Sequence, residues 1–138
     1  MKFLLDSSAL AKRFIPEKGS DKVIAVCQEA DELGISIICY PEMISALNRL
    51  KKEKKINKAE YLNAKQNIAN DLRDVSICNI TEGTVAQVIF LLEENTLRAM
   101  DAFHIAAALE WKADVFVSAD KQQIKAAKKA GLKVREVL

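Results

Sequence analysis

Five short apolar runs, separated by longer stretches of helical periodicity, restrict the fold of this chain more than any other feature. The runs are Phe3-Leu4-Leu5, Ile35-Ser36-Ile37-Ile38-Cys39, Val75-Ser76-Ile77-Cys78, Val115-Phe116-Val117 and Leu132-Lys133-Val134. The first, second and fourth are almost continuously apolar and rich in branched residues. That is the pattern of strands buried on both faces of a parallel sheet. Residues 21–33 place Val23, Val26, Cys27, Ala30 and Leu33 on one helical stripe. Residues 42–54 carry Met43, Leu47 and Leu50 on one face and then become basic. Asn57 with Glu60 has the form of a capping box for a helix running to about Leu72. Thr81 caps a helix through Glu94, and Asp120 to Ala130 is a last helix stopped by Gly131. Ala99 to Lys112 is apolar nearly all round and reads as a central helix.

This alternation predicts an α/β domain with a mainly parallel sheet covered on both faces. The 138 residues read as one domain, with no repeat, low-complexity segment or Pro/Gly-rich linker. Both prolines, Pro16 and Pro41, fall at element boundaries. The helical pair over about 41–72 reads as an insertion beside the sheet, a lid or a contact surface.

Composition narrows the chemistry. Half the residues are apolar and 29% are charged, the balance of a soluble globular protein. The net charge of +2 is too small to argue for nucleic acid by itself. Cys27, Cys39 and Cys78 are odd in number, form no CxxC pair, and share the chain with one histidine. A zinc cage and a disulfide framework are therefore disfavoured, and reduced thiols point to a cytoplasmic protein. MKFLLDSS is too briefly apolar for a signal peptide, and no stretch approaches the ~20 apolar residues of a membrane span.

Four of the 19 acids interrupt or directly follow an apolar run. Asp6 ends the first strand. Glu42 follows the second strand and Tyr40-Pro41. Asp120 follows Val115 to Ala119 at a strand-to-helix junction. Asp101 lies within the apolar stretch Ala99 to Leu109, where burial costs free energy unless something compensates it. Singly, each acid has a bland reading as a cap, a turn residue or a partner of a helix dipole, and Asp101 fits that reading least. Together, three of them fall at the carboxyl edge of a parallel sheet, where such sheets bind ligands. Clustered carboxylates repel, and a hard divalent ion such as Mg²⁺ relieves that repulsion through oxygen ligands. Such ions also activate water and stabilise the oxygens of a phosphodiester displacement.

At these residues the sequence resembles the PIN-domain nucleases. Leu5-Asp6-Ser7-Ser8-Ala9-Leu10 is similar to the family's opening motif, and Pro41-Glu42-Met43-Ile44-Ser45-Ala46-Leu47 to its second. Asp101-Ala102-Phe103-His104-Ile105-Ala106-Ala107-Ala108 is similar to the third, and Val117-Ser118-Ala119-Asp120 to the fourth. Order, spacing and length resemble the VapC-like toxins of toxin–antitoxin pairs over essentially the whole chain. The resemblance implies a three-layer α/β/α sandwich and Mg²⁺- or Mn²⁺-dependent RNA cleavage by a metal-activated water. It places Asp6, Glu42, Asp101 and Asp120 in the metal site, with Ser8 and Ser118 as supporting hydroxyls. It also implies a homodimer and an antitoxin partner that blocks the site. On this reading Asp6, Asp101 and Asp120 are the main ligands, and Glu42 completes the shell directly or through water.

Other features carry two readings each. His104, three residues after Asp101, is expected to pack near the core with one nitrogen satisfied; contact with the site or RNA is the other reading. The basic run Arg49, Lys51, Lys52, Lys54, Lys55 and Lys58 is either a phosphate contact or a solvated helix end. Arg98 could balance the acidic site. Trp111, Tyr40 and Tyr61 are too isolated for a base-stacking platform. Ser7 and Ser8 lack the nearby histidine base of a serine hydrolase, because the single histidine belongs to another helix. Position 8 is serine where a haloacid-dehalogenase-like phosphatase needs an acid. No GxGxxG follows the first strand, against dinucleotide binding. A catalytically silent PIN-fold module acting through RNA or protein partners is the alternative to the enzyme.

Overall fold

The computed structural model describes residues 1–138. Strand β1 (Lys2–Leu5) is followed by helices α1 (Ser7–Phe14) and α2 (Ser20–Glu29). Strand β2 (Glu32–Ser36) leads into the helical pair α3 (Cys39–Lys52) and α4 (Lys58–Asp71), then a 3-10 turn at Leu72–Asp74. Strand β3 (Ser76–Cys78) precedes α5 (Glu82–Glu94) and α6 (Ala99–Trp111). Strand β4 (Val115–Ser118), α7 (Lys121–Lys129) and β5 (Lys133–Glu136) complete the chain. All four strand pairings are parallel, in the order β3-β2-β1-β4-β5.

The pleat of β1 divides the core. Phe3 and Leu5 face one side with Val115 and Val117 of β4, and pack with α1 to α4 through Leu10, Val26, Met43, Leu47 and Ile68. Leu4 and Phe116 face the other side and pack under α5, α6 and α7. Two separate apolar cores therefore flank the sheet, which makes the expected three-layer α/β/α arrangement. Fully burying a side chain such as Phe3 or Phe116 contributes roughly 1.5–3 kcal/mol. The central helix expected from the apolar stretch is α6, with Ala102 and Ile105 to Ala108 all buried.

Local capping chemistry sets several boundaries as the sequence predicts. Asn57 and Glu60 make a reciprocal capping box at α4, and Thr81 pairs with Thr84 at α5. Gly131 takes φ +93° just beyond α7, the left-handed conformation that ends it.

Two expectations need correction. The second strand lies at Glu32–Ser36, not 35–39, and α2 ends at Glu29, not 33. Lys2, Phe3 and Leu4 pair with Glu32, Leu33 and Gly34, so ladder hydrogen bonds draw Leu33 into the sheet. Gly34 looks like a break in the sequence. In the fold it lets the Trp111 ring lie against the strand, since a Cβ there would fall 2.7 Å from ring carbons. Helix α3 starts at Cys39, before Pro41, because a first-turn proline forfeits no intrahelical bond. The second correction is α1, which the sequence reading lacks altogether. It is only eight residues long and its cap is Asp6 itself.

Candidate active site

The order β3-β2-β1-β4-β5 places the topological switch between β1 and β4. After β1 the chain leaves toward the α1–α4 face, and after β4 toward the α7 face. The divergence opens a crevice at the carboxyl ends of these two strands. Asp6 follows β1 there, and Ser118 ends β4. The Asp6 amide donates to Val117 O at 3.1 Å, tying the strand ends together.

Each of the four acids sits at a helix N-terminus. Asp6 caps α1 and Asp120 caps α7; Glu42 and Asp101 lie in the first turns of α3 and α6. Free N–H groups and the positive end of the helix dipole favour a carboxylate at all four positions. For Asp6 and Asp120 the capping role is therefore real, and it coexists with their place in the crevice.

Asp6 is fully buried. Its Oδ1 accepts from Ser8 Oγ at 2.7 Å and the Ala9 amide at 2.9 Å, and its Oδ2 accepts from Ser118 Oγ. Burial pushes the carboxyl upward, and hydrogen bonds from Ser118, Ser8 and Ala9 recover only part of that. Ser118 Oγ also accepts from the Asp120 amide at 3.0 Å, and Ser8 Oγ from the Ala119 amide at 3.0 Å. Ser8 and Ser118 thus join Asp6 to Asp120. Asp120 Oδ1 accepts from the Gln123 amide at 3.0 Å, and the Gln123 side chain donates to Asp101 Oδ1 at 3.3 Å. Asp101 Oδ2 faces Arg98 Nε at 3.2 Å, with the arginine side chain 84% exposed and the aspartate 11%. Arg98 lies within the field of Asp120 and Glu42 as well.

Glu42 completes the set from α3. Its Oε1 accepts from Ser7 Oγ at 2.7 Å and meets His104 Nε2 at 2.5 Å. Burial pushes this carboxyl up, but the hydrogen bonds from His104 and Ser7 outweigh it and bring it below the usual range. Hydrogen bonds therefore link Asp6, Asp120, Asp101 and Arg98 through Ser8, Ser118 and Gln123, while Glu42, Ser7 and His104 form a second group beside them, reached through the chain because Ser7 follows Asp6. Asp101 is turned onto Gln123 and Arg98, and Glu42 onto His104 and Ser7. In these rotamers no three acid, histidine or cysteine groups converge closely enough to form a ready coordination shell.

Three members of these two groups are absent from the sequence-derived set: Ser7, Gln123 and Arg98 in its specific contact with Asp101. His104 satisfies both of its readings. It is buried to 1% exposure with one nitrogen engaged, and that nitrogen faces the site. The expectation that no histidine approaches the serines is corrected, since Ser7 Oγ lies 3.3 Å from His104 Nε2. The arrangement is still not a serine–histidine–acid relay. A relay uses one ring nitrogen for serine and the other for the acid. Here Ser7 and Glu42 meet the same nitrogen, and Nδ1 has no partner. Cys39 nearby is no nucleophile either, because burial pushes its thiol up to about 12.

A family profile described as PIN domain matches residues 3–129, a span that holds all four acids. The chain belongs to the PIN-domain family. Membership supports nuclease chemistry at the level of the family. No curated protein matches the sequence. Several solved PIN-fold structures resemble this domain. VapBC2 of Rickettsia felis, bound to a DNA fragment from its promoter, aligns with TM-score 0.72 and 13% identity over 99% of this chain and 98% of that one. Mycobacterium tuberculosis VapC20, described as a sarcin–ricin loop cleaving toxin, gives 0.69 and 16% over 90% and 94%. A toxin–antitoxin complex from Klebsiella pneumoniae gives 0.67 and 19% over 88% of each. At such identities the likeness establishes the shared fold. In this PIN domain the four acids arise from α1, α3, α6 and α7, around the β1/β4 crevice.

Proposed function

We propose that this PIN domain is a Mg²⁺- or Mn²⁺-dependent endoribonuclease and the toxin of a toxin–antitoxin pair. The observation that carries the reading is the meeting of four helix N-termini, each bearing one of Asp6, Glu42, Asp101 and Asp120, about the sheet's switch point, where hydrogen bonds through Ser8, Ser118 and Gln123 link Asp6, Asp120 and Asp101. The donor set suits a hard divalent cation, because every candidate ligand is a carboxylate or hydroxyl oxygen. Asp6 is pushed up by burial that its own donors do not offset, and that is the electrostatic condition a divalent cation relieves. Arg98 already brings a positive charge to Asp101.

Asp6, Asp101 and Asp120 would hold the ion, with Glu42 contributing directly or through water. When bound, the ion supplies Lewis-acid polarisation of the phosphodiester and activation of water. Ser8 and Ser118 hold Asp6 in one rotamer. Gln123 keeps Asp101 beside Asp120. Arg98 stands at the exposed rim, within reach of a phosphate. No side chain needs to act as nucleophile.

RNA as substrate rests on the family resemblance and on the sarcin–ricin loop cleavage ascribed to the M. tuberculosis neighbour. An antitoxin partner rests on neighbours solved as toxin–antitoxin complexes. A homodimer and a cytoplasmic setting complete the proposal. The test is an RNA cleavage assay with and without EDTA, beside Asp101→Asn. We expect cleavage to stop in EDTA, to return with Mg²⁺ or Mn²⁺, and to fall at least ~100-fold in the variant, since even residues outside the ligand shell cost 10–100-fold. Cleavage that ignores EDTA, or full activity in Asp101→Asn, would overturn the reading.

A further inference from the structure

We infer that His104 is a positioning residue that acts through Glu42: its Nε2–H holds the Glu42 carboxylate in the orientation the site uses. The inference rests on the reading of Glu42 as a site carboxylate and adds a role for a residue outside the four acids.

Three observations support it. Nε2 lies 2.5 Å from Glu42 Oε1, and Ser7 Oγ contacts both atoms. Oε1 is thereby committed to the protein, while Oε2 takes none of the chain's hydrogen bonds. His104 is also almost completely enclosed, on a helix whose neighbouring residues Ala102, Ile105 and Ala106 are core. Its ring cannot turn without displacing that packing. Finally, Nδ1 is buried with no partner. A buried N–H without an acceptor is costly, and a lone pair on Nε2 would face a carboxylate oxygen. The proton therefore resides on Nε2, where it is donated to Glu42. With Nε2 committed to Glu42 and the free Nδ1 enclosed in the core, the ring has no nitrogen open to a substrate and serves by orientation alone. The roles of Ser8 and Ser118 at Asp6 are repeated here at Glu42 by Ser7 and His104.

The single histidine makes the test direct, because the untagged 138-residue chain has one imidazole signal set. In ¹⁵N-labelled protein, long-range ¹H–¹⁵N correlation should show Nε2 protonated and Nδ1 bare. A proton on Nδ1 would overturn the inference. Two variants then separate positioning from packing. His104→Phe keeps bulk and loses the donor; His104→Gln keeps a donor near the position of Nε2. We expect His104→Phe to lose about 10–100-fold in kcat and in Mn²⁺ affinity by calorimetry, with KM little changed. His104→Gln should recover most of both losses. Equal impairment of two folded variants would mean a packing role and would overturn the inference. If His104→Phe does not fold, the tautomer and the Mn²⁺ affinity of His104→Gln decide, a full loss in that variant counting against it. Glu42→Ala distinguishes the two layers of argument. If it binds Mn²⁺ and cleaves as wild type, the reading of Glu42 has failed. If it is impaired while His104→Phe is not, only the role of His104 has failed.

Discussion

Asp6 shows how one residue can be a helix cap, a member of the candidate site and an electrostatic liability together. Burial raises its carboxyl and its hydrogen bonds restore only part, so the folded chain holds this proton more tightly than the unfolded chain does. The stability that follows is fully present below the ordinary aspartate range and is lost as pH rises through the raised value. Glu42 has the opposite sign: its carboxyl is brought down, so its contribution is present above the ordinary glutamate range and is lost as pH falls. Denaturant unfolding of wild type and Asp6→Asn without metal isolates the first effect. The two should match at the acid end, with wild type falling behind the variant toward neutral pH. Wild type gaining on the variant over that range would contradict the account. Added Mn²⁺ should raise wild type at neutral pH far more than Asp6→Asn. At this scale the four acids stand out in the sequence as candidates because each sits beside an apolar run where an acid is out of place. Ser7, Gln123 and the contact made by His104 do not. They are neutral or ordinary helical residues, and their roles depend on which helix ends meet, across 97 residues of chain for Ser7 and His104 and across 22 for Gln123 and Asp101.

Elements with strong local codes were legible, and those decided by pairing were not. The capping boxes at α4 and α5, the stop at Gly131 and the apolar α6 follow from adjacent residues. The β2 register does not: it depends on β1 and on the Trp111 ring filling the space above Gly34. Helix α1 escaped notice because eight residues give too short a period, and its cap is a residue that draws attention for another reason. Two predictions belong here. Gly34→Ala forces a Cβ into the Trp111 ring and should destabilise by about 1–3 kcal/mol in urea unfolding. A stabilised variant would show that the strand and ring do not pack as described. Asn57→Ala removes the α4 cap and should cost about 1 kcal/mol while leaving RNA cleavage unchanged below its melting range. Cleavage lost in step with the cap would instead place the start of α4 in the working surface. Such a result would bear on the neighbouring basic run, in which Lys51 already packs over Tyr61 at 4.2 Å.

For the whole molecule, strand order matters more than any single contact. Placing β1 between β2 and β4 makes adjacent connections diverge to opposite faces, and that divergence brings helix N-termini carrying acids distant in sequence to one edge of the sheet. The alternating pattern predicted a parallel sheet covered on both faces, but it held no information on which strands would be neighbours. Charge is also organised at this scale. On the proposed reading, in which four of the 19 acids hold metal, the 21 basic residues would outnumber the remaining acids by six, which suits a polyanionic substrate. No helix is long and apolar enough to cross a membrane. The central claim is that the four acids act together as a divalent-cation site. Calorimetric titration of Mn²⁺ into the untagged 138-residue chain, beside Asp101→Asn, tests it most directly. The account predicts saturable binding by the intact chain, weakened at least ~10-fold in the variant. No binding by the intact chain would contradict it and leave a PIN-fold binding module in its place.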